Sequence, residues 1–202
     1  MSKLVSVILV ALALSIVALA QDPPADAYQV RYAANLNIGD SVIDLTNAGT
    51  AGGFDPGGTI CANVYVFDPS QELGACCACP LTPNALAALS VKNDLISNWL
   101  TPGTPTGGVT IALLATKQDS CDAATVTLGT LVGGLRAWGT TLHALPGGTS
   151  YALTETAFAR ATLSASELLK LKSFCGMIEA MGSGFGICSS CREGSALGAA
   201  KQ

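Results

Sequence analysis

Apolar and polar residues alternate in several short stretches of the chain, and this two-residue period predicts half-buried β-strands. The first stretch contains Tyr28, Val30 and Tyr32, which are separated by glutamine and arginine. In residues 60–67 both alternating faces are apolar, which is typical of a central strand, and Cys61 lies on it. Further strands are predicted at residues 41–46, 86–91, 109–116 and 150–158.

One helix is predicted over about residues 164–181. Ser164 and Glu167 have the spacing of a capping box, and Leu163 and Leu168 are placed to form a hydrophobic staple. Gly182 supplies the stop signal. The apolar face consists of Leu168, Leu171, Cys175 and Ile178. Cys175 should therefore point to the core, where a bridge to Cys188, Cys191 or a sheet cysteine can form.

Residues 131–145 are ambiguous, because apolar residues recur there at helical spacing while three glycines oppose a helix. The residues concerned are Leu131, Leu135, Trp138 and Leu142 against Gly133, Gly134 and Gly139. The remaining pattern, regularly spaced short strands followed by one helix, indicates a mainly β fold. We expect an Ig-like or jelly-roll-like β-sandwich with a C-terminal α-helix, stabilised by disulfides.

The first 20 residues resemble a signal peptide. Lys3 precedes an apolar run that ends in Ala18-Leu19-Ala20, the small-residue pattern that a signal peptidase accepts. The run is short for a membrane span, so cleavage is expected and an uncleaved anchor is the alternative. No second run is long enough to cross a bilayer. We expect a secreted, extracellular or cell-surface protein without a membrane span in its mature chain.

Three further segments follow the predicted signal peptide. Residues 21–33 begin with a segment that lacks core-forming side chains, and they are predicted to form an N-terminal arm or exchanged strand. Residues 34–195 should form a single β-rich domain that includes the helix. Residues 196–202 are predicted to be a tail that is neither apolar nor highly charged.

Composition limits the function classes. Charged residues make up 12% of the 202 residues, the formal net charge is −4, and no basic stretch could follow a phosphate backbone, which argues against nucleic-acid binding. His143 is the one histidine, so most imidazole-based metal and acid–base sites are excluded. It lies in an apolar stretch, where we expect a hydrogen-bonded structural side chain. No cofactor is expected.

An even number of cysteines in an exported chain predicts up to four disulfides. Neighbouring Cys76 and Cys77 should bond to different partners, because a bridge between them needs unusual backbone geometry. A metal or redox role for Cys79 with these two, and for the Cys188-Ser-Ser-Cys191 motif, is the alternative. The irregular spacing favours disulfides and no metal site. The eight cysteines are Cys61, Cys76, Cys77, Cys79, Cys121, Cys175, Cys188 and Cys191.

No motif in the sequence indicates catalysis. It has no G-x-S-x-G nucleophile elbow and no phosphate-binding glycine loop followed by Lys-Ser or Lys-Thr. Asp119 and Asp122 alone do not make a calcium loop. The glutamates are few, although a carboxylate pair can form through the fold. We therefore predict that the protein is not an enzyme and assign no catalytic residue.

Four segments carry a resemblance to a family. They are residues 65–68 (YVFD), 76–80 (CCACP), 89–95 (LSVKNDL) and 182–188 (GSGFGIC). Through them the sequence resembles an uncharacterised family of exported bacterial proteins of similar length, over roughly residues 30–195. The resemblance implies an exported, cysteine-containing, mostly β protein and supplies no activity.

Three functions remain open. Export, disulfides and low charge favour a structural subunit of an extracellular assembly such as a fibre, a pilus-like filament or a matrix layer, with copies of itself as partners. Tyr28, Val30 and Tyr32 would then form an assembly arm that adds a strand to a neighbour's sheet. The second hypothesis is a monomeric surface or secreted module that binds glycans or host matrix through residues 48–59 and 101–108. The third is a thiol-redox or metal-binding protein.

Overall fold

The computed structural model describes residues 23–52, 57–100, 105, 107–118, 121–148, 150–182 and 187–191. The predicted signal peptide at residues 1–20 and the predicted tail at residues 196–202 lie outside the described residues. No helix in the described ranges is long and apolar enough to span a membrane.

The described chain forms two antiparallel sheets and one α-helix. The five-stranded sheet has the order β4-β3-β6-β1-β9, and the four-stranded sheet has the order β5-β2-β7-β8. The strands are β1 (Tyr28–Ala34), β2 (Val42–Asn47), β3 (Ile60–Phe67), β4 (Leu73–Leu81), β5 (Leu86–Ser90), β6 (Gly108–Lys117), β7 (Leu135–Ala144), β8 (Tyr151–Ala157) and β9 (Ala159–Arg160). The helix α1 spans Ala165–Ala180, a π-turn spans Val91–Leu95, and short 3₁₀ turns span Leu128–Thr130 and Ser189–Cys191.

Two hydrophobic cores hold these layers together. The larger core lies between the sheets and includes Ile43, Val64 and Leu113. The second core lies between the outer face of the five-stranded sheet and α1, where Leu171 and Ile178 pack near Tyr65. Because β3 contributes to both cores, all eight of its residues are buried. The predicted β-sandwich with a C-terminal helix is confirmed.

The helix forms where its sequence signals predict it. The Ser164 hydroxyl accepts a hydrogen bond from the backbone N–H of Glu167, 3.1 Å away, which satisfies an N–H group that the first turn leaves free. The side chains that α1 buries are Leu168, Leu171, Cys175 and Ile178, the predicted apolar face.

One sequence expectation needs correction, and one ambiguity is resolved. Residues 28–33 do not form an arm, since β1 pairs along all seven of its residues with β6 inside the chain's own sheet. The ambiguous stretch 131–145 contains β7, because Leu135, Ala137 and Gly139 point inward with the two-residue period of a strand. Strand β4 was not predicted. Its core-facing and helix-facing positions are both apolar, so its sequence shows no alternation.

Candidate functional site

All eight cysteines form disulfides, which join strands to distant segments. The pairs are Cys61–Cys121, Cys76–Cys175, Cys77–Cys188 and Cys79–Cys191. Neighbouring Cys76 and Cys77 have different partners, as predicted. The two cysteines of the C-x-x-C motif bond to β4 and not to each other, so the motif is not a redox pair. No cysteine is a free thiol in this structure, which favours the disulfide interpretation of the cysteines over the thiol-redox or metal one.

Strand β4 is the hub of three of these bridges, because successive side chains of a strand point to opposite faces. Cys76 points to the helix layer and bonds to Cys175 of α1, whereas Cys77 and Cys79 point into the sandwich. Their partners, Cys188 and Cys191, hold residues 187–191 along the outer edge of β4. There the Cys188 N–H donates to the Ala78 carbonyl at 2.9 Å. This segment covers the edge of β4 around Ala78, and near the other end of the strand the Leu100 N–H donates to the Gly74 carbonyl at 3.0 Å.

Two other sheet edges are short or covered. Strand β5 has five residues, packs near the 3₁₀ turn Ser189–Cys191, and has the N–H of Ser90 bound to the Asp94 carboxylate at 2.7 Å. Strand β9 has two residues, which pair with Gln29 and Val30 of β1 and leave the last residues of β1 unpaired on that side. An unpaired edge can recruit another strand, and soluble proteins usually cover or shorten such edges.

Strand β8 is the exception. It spans seven residues, pairs with β7 on one side, and ends the four-stranded sheet on the other. Its side chains are exposed on both faces except for partly buried Ala152. No proline, lysine or arginine occurs in the strand, and Glu155 is its one charged residue. Strand β8 is thus the longest open edge in the described part of the chain.

The pairing of β8 with β7 fixes which backbone groups point outward. At one end the Leu145 N–H donates to the Ser150 carbonyl (3.1 Å), and at the other the Phe158 N–H donates to the Ala137 carbonyl (2.9 Å). Hydrogen-bonded and non-hydrogen-bonded pairs alternate between these ends. Alternate residues of β8 therefore direct both N–H and C=O away from β7. These residues are Tyr151, Leu153, Glu155 and Ala157.

The outer face of the β7–β8 hairpin is partly apolar. Trp138, Leu153 and Tyr151 point to this face, with exposed fractions of 37%, 62% and 51%. On the opposite face, His143 shares a 2.9 Å hydrogen bond with the Thr154 hydroxyl. His143 is hydrogen-bonded, as expected, but it is exposed on the hairpin and not surrounded by apolar side chains.

Arg31 anchors the hairpin to β1 and was not identified from the sequence. Its guanidinium donates to the Thr141 hydroxyl (2.8 Å) and the Thr156 hydroxyl (3.3 Å), one on each strand of the hairpin. Gly139 lies beneath it, where a Cβ would fall 2.7 Å from the guanidinium carbon. Arg31 is 8% exposed, has no ion pair within the described residues, and its second terminal nitrogen has no hydrogen-bond partner there. Burial lowers the pKa of Arg31.

The three predicted arm residues have different environments in β1. Tyr28 and Val30 are partly buried against the core beneath α1, and Tyr32 is exposed beside Gly108. Asp26, just before the strand, accepts hydrogen bonds from Arg136 and from the Gly134 N–H. Burial alone would raise the pKa of Asp26, but these hydrogen bonds outweigh it and hold the pKa below its usual value.

A groove between α1 and the β3–β4 turn is a second surface feature. It encloses about 310 Å³ and is lined by Trp99, Leu100, Phe174 and Met177, with Gln71 and Glu72 among its polar lining residues. The Trp99 ring lies against Gly74, where a Cβ would fall 2.0 Å from the indole. The loops predicted to bind ligands lie only partly within the described residues, since 53–56, 101–104 and 106 are outside them.

One acidic side chain lies beside the Cys76–Cys175 bridge. The Glu179 carboxylate lies 3.8 Å from the sulfur of Cys175. Burial raises the pKa of Glu179, and the negative charge of Asp122 adds to the rise. The buried Tyr65 hydroxyl donates to the Ala123 carbonyl at 2.7 Å, and burial raises its pKa as well. None of these groups lines the groove beside α1.

Comparison with known proteins assigns no family to this disulfide-stabilised β-sandwich. No protein-family model matches the chain, and no curated protein matches it. A search of solved structures finds a crystal structure of Thermotoga maritima 1070, which has 11% sequence identity and a TM-score of 0.42. The match covers 69% of this chain and 98% of that chain. The resemblance to an exported bacterial family therefore stays a prediction.

Proposed function

We propose that the protein is a structural subunit of an extracellular assembly in which copies of the chain contact each other through the open edge of β8. The observation that carries this proposal is the contrast between sheet edges. Disulfide-held residues cover β4, β5 and β9 are short, and β8 presents a full strand of unpaired backbone groups. Four disulfides suit an oxidising compartment.

Edge pairing explains how the assembly can form without the predicted N-terminal arm. A strand that adds to an open edge satisfies backbone N–H and C=O groups that otherwise bind water. The inward-facing residues Thr154 and Thr156 are themselves exposed, so the five-stranded sheet does not cover β8. A neighbour's strand can therefore approach along its whole length.

The proposal is tested by blocking the edge without disturbing the hairpin. Leu153→Pro removes an outward N–H and leaves the hydrogen bonds to β7 in place, since Leu153 belongs to a non-hydrogen-bonded pair with β7. Leu153→Thr is the matched control, because it removes the apolar side chain and keeps the N–H. We expect light scattering and negative-stain microscopy to show particles of at least two copies for the native protein and Leu153→Thr, and folded monomers for Leu153→Pro.

Two results would overturn this function. One is a native protein that remains a compact monomer at all accessible concentrations. The other is a Leu153→Pro variant that assembles like the native protein. Near-ultraviolet circular dichroism and disulfide mapping establish that each variant is folded before its assembly is compared.

The groove beside α1 favours a second candidate function, a monomeric module that binds glycans. Trp99 and Phe174 provide aromatic surface, and Gln71 and Glu72 provide an amide and a carboxylate for hydroxyl groups. The chain has two tryptophans, so Trp138→Phe makes Trp99 the sole indole fluorophore. A change in its fluorescence on adding an oligosaccharide, lost in Phe174→Ala, would support binding. No response to a broad glycan panel would exclude it.

A further inference from the structure

We infer that the partner of β8 is the same strand of a second copy, paired antiparallel about a two-fold axis at Thr154. This inference rests on the proposed function and specifies its contact. In the described residues, β8 is the one edge of full strand length that no other segment covers. Among the described residues a second copy can therefore offer an equally long edge only by presenting its own β8, and a contact between identical surfaces is two-fold symmetric. Such a contact closes after two copies, so it defines a dimer, and a larger assembly needs a further contact between dimers.

The outward-pointing residues restrict how the two strands can align. Tyr151, Leu153, Glu155 and Ala157 carry the free N–H and C=O groups, so only alignments that place these residues opposite one another form a ladder. One such alignment puts Glu155 directly opposite Glu155 of the second copy, which is unfavourable because like charges then face each other. Another puts Leu153 opposite itself and leaves Ala157 beyond the end of the partner strand.

The alignment centred on Thr154 avoids both problems. It places Leu153 opposite Glu155 and Tyr151 opposite Ala157, so all four outward residues of each strand form hydrogen-bonded pairs. Each Glu155 then faces a leucine, and the two carboxylates are offset along the strands. The four-stranded sheets of the two copies become one continuous sheet of eight strands.

This alignment brings the two Thr154 residues together in a non-hydrogen-bonded pair. Cα atoms in such a pair lie about 4.5 Å apart, a separation within the range that disulfides span. Thr154 is exposed, so a cysteine there is accessible to oxidant. Thr156 is also exposed and points to the same face, but its copies would lie four strand positions apart, well beyond disulfide reach.

The experiment compares single cysteine variants of the full chain under mild oxidation. We expect Thr154→Cys to give a covalent dimer, identified by mass spectrometry of the 154–154 peptide, and Thr156→Cys to remain uncrosslinked. Leu153→Cys and Glu155→Cys test the two rejected alignments, because each of those alignments would place the two copies of the added cysteine directly opposite each other. Mapping of the four native disulfides in each variant establishes that the added thiol has not exchanged with them.

The outcomes separate this inference from the proposed function. A crosslink at 154 alone supports both. If the assembly forms and Leu153→Pro abolishes it, yet crosslinking occurs at 153 or 155 or at none of these positions, the inferred pairing is wrong and the edge proposal stands. If the native chain does not assemble and none of the cysteine variants crosslinks, both the edge proposal and the inferred pairing fail.

Discussion

Arg31 is the side chain whose environment departs most from what its chemistry favours. A buried guanidinium loses hydration, and in the described residues it recovers only two hydroxyl partners and no carboxylate. Arg31 holds the β7–β8 hairpin in place, since it bonds both strands of the hairpin to β1. The same side chain thus reduces stability while it fixes the direction of the open edge.

We expect Arg31→Met to leave the free energy of unfolding unchanged or to raise it by about 1 kcal/mol, because an apolar side chain of similar length avoids the desolvation cost. Arg31→Lys should lower it, since an ammonium is more strongly hydrated and costs more to bury, and it cannot reach both Thr141 and Thr156 as a planar fork does. Urea unfolding of the three proteins at one pH measures the difference. A loss of several kcal/mol in Arg31→Met would show that the buried charge is strongly stabilising.

Glu179 gives a pH-dependent prediction. Its pKa is raised in the folded protein by burial and by Asp122, so the folded state prefers the protonated acid and the ionised form is destabilising. We expect Glu179→Gln to stabilise the fold near neutral pH by less than about 1 kcal/mol, because the group is only partly buried. The gain should shrink as the pH falls through the raised pKa, since the native side chain then becomes neutral too.

Urea unfolding across a pH series measures this effect. Asp122→Asn is the matched control, because it removes the charge that acts on Glu179 and keeps the oxygen that accepts the Ala124 N–H at 2.8 Å. It should give a smaller gain with the same pH trend. If the increase in the free energy of unfolding for Glu179→Gln stays constant down to acidic pH, it does not arise from a raised pKa of Glu179.

Among the elements, β4 shows that the disulfides close loops of different lengths. Cys77–Cys188 already ties β4 to the C-terminal segment, so Cys76–Cys175 closes only the additional short loop between residues 175 and 188. Cys61–Cys121 has a sequence separation of 60 and no other bridge that shortens its loop. The cost of removing a bridge grows with the length of the loop that it closes.

We therefore expect different costs for two paired substitutions. Cys76→Ala with Cys175→Ala should lower the free energy of unfolding by roughly 3 kcal/mol, and Cys61→Ala with Cys121→Ala by roughly 4 kcal/mol, the values for loops of about 15 and about 60 residues. Chemical denaturation of the two variants gives this order. The opposite order would mean that packing around each bridge outweighs the entropy of the unfolded chain.

Sequence periodicity predicted most of the strands and the helix but missed β4, although β3 and β6 face both cores as β4 does. Strands β3, β6 and β8 and the helix were recognisable because their apolar period, or the absence of polar breaks, matches one geometry. Strand β4 was not, because three cysteines bonded to opposite faces leave no period to detect. The open edge of β8 was also beyond sequence reasoning, because strand order depends on long-range pairing that a local pattern does not encode.

At the scale of the whole molecule, the disulfides and the open edge have opposite effects on association. The bridges at β4 hold a segment that covers the middle of this edge strand and so hinder another strand from pairing there. The four-stranded sheet ends in β8 without such a cover. Covalent closure of one sheet edge limits self-association to a defined surface, which favours an ordered contact over indiscriminate sheet aggregation.

The charge of the whole chain predicts how this contact responds to salt. The formal net charge is −4, so two copies repel each other, while β8 has one charged residue and no cation to form an ion pair across the contact. We expect the dimer dissociation constant to fall by about two- to fivefold between roughly 10 mM and 150 mM salt, because screening reduces the repulsion and leaves the backbone hydrogen bonds intact. Sedimentation equilibrium over a concentration series measures it, with Leu153→Pro expected to remain monomeric at every salt concentration. Dissociation of the native protein on adding salt would instead show that ion pairs elsewhere on the surface hold the copies together.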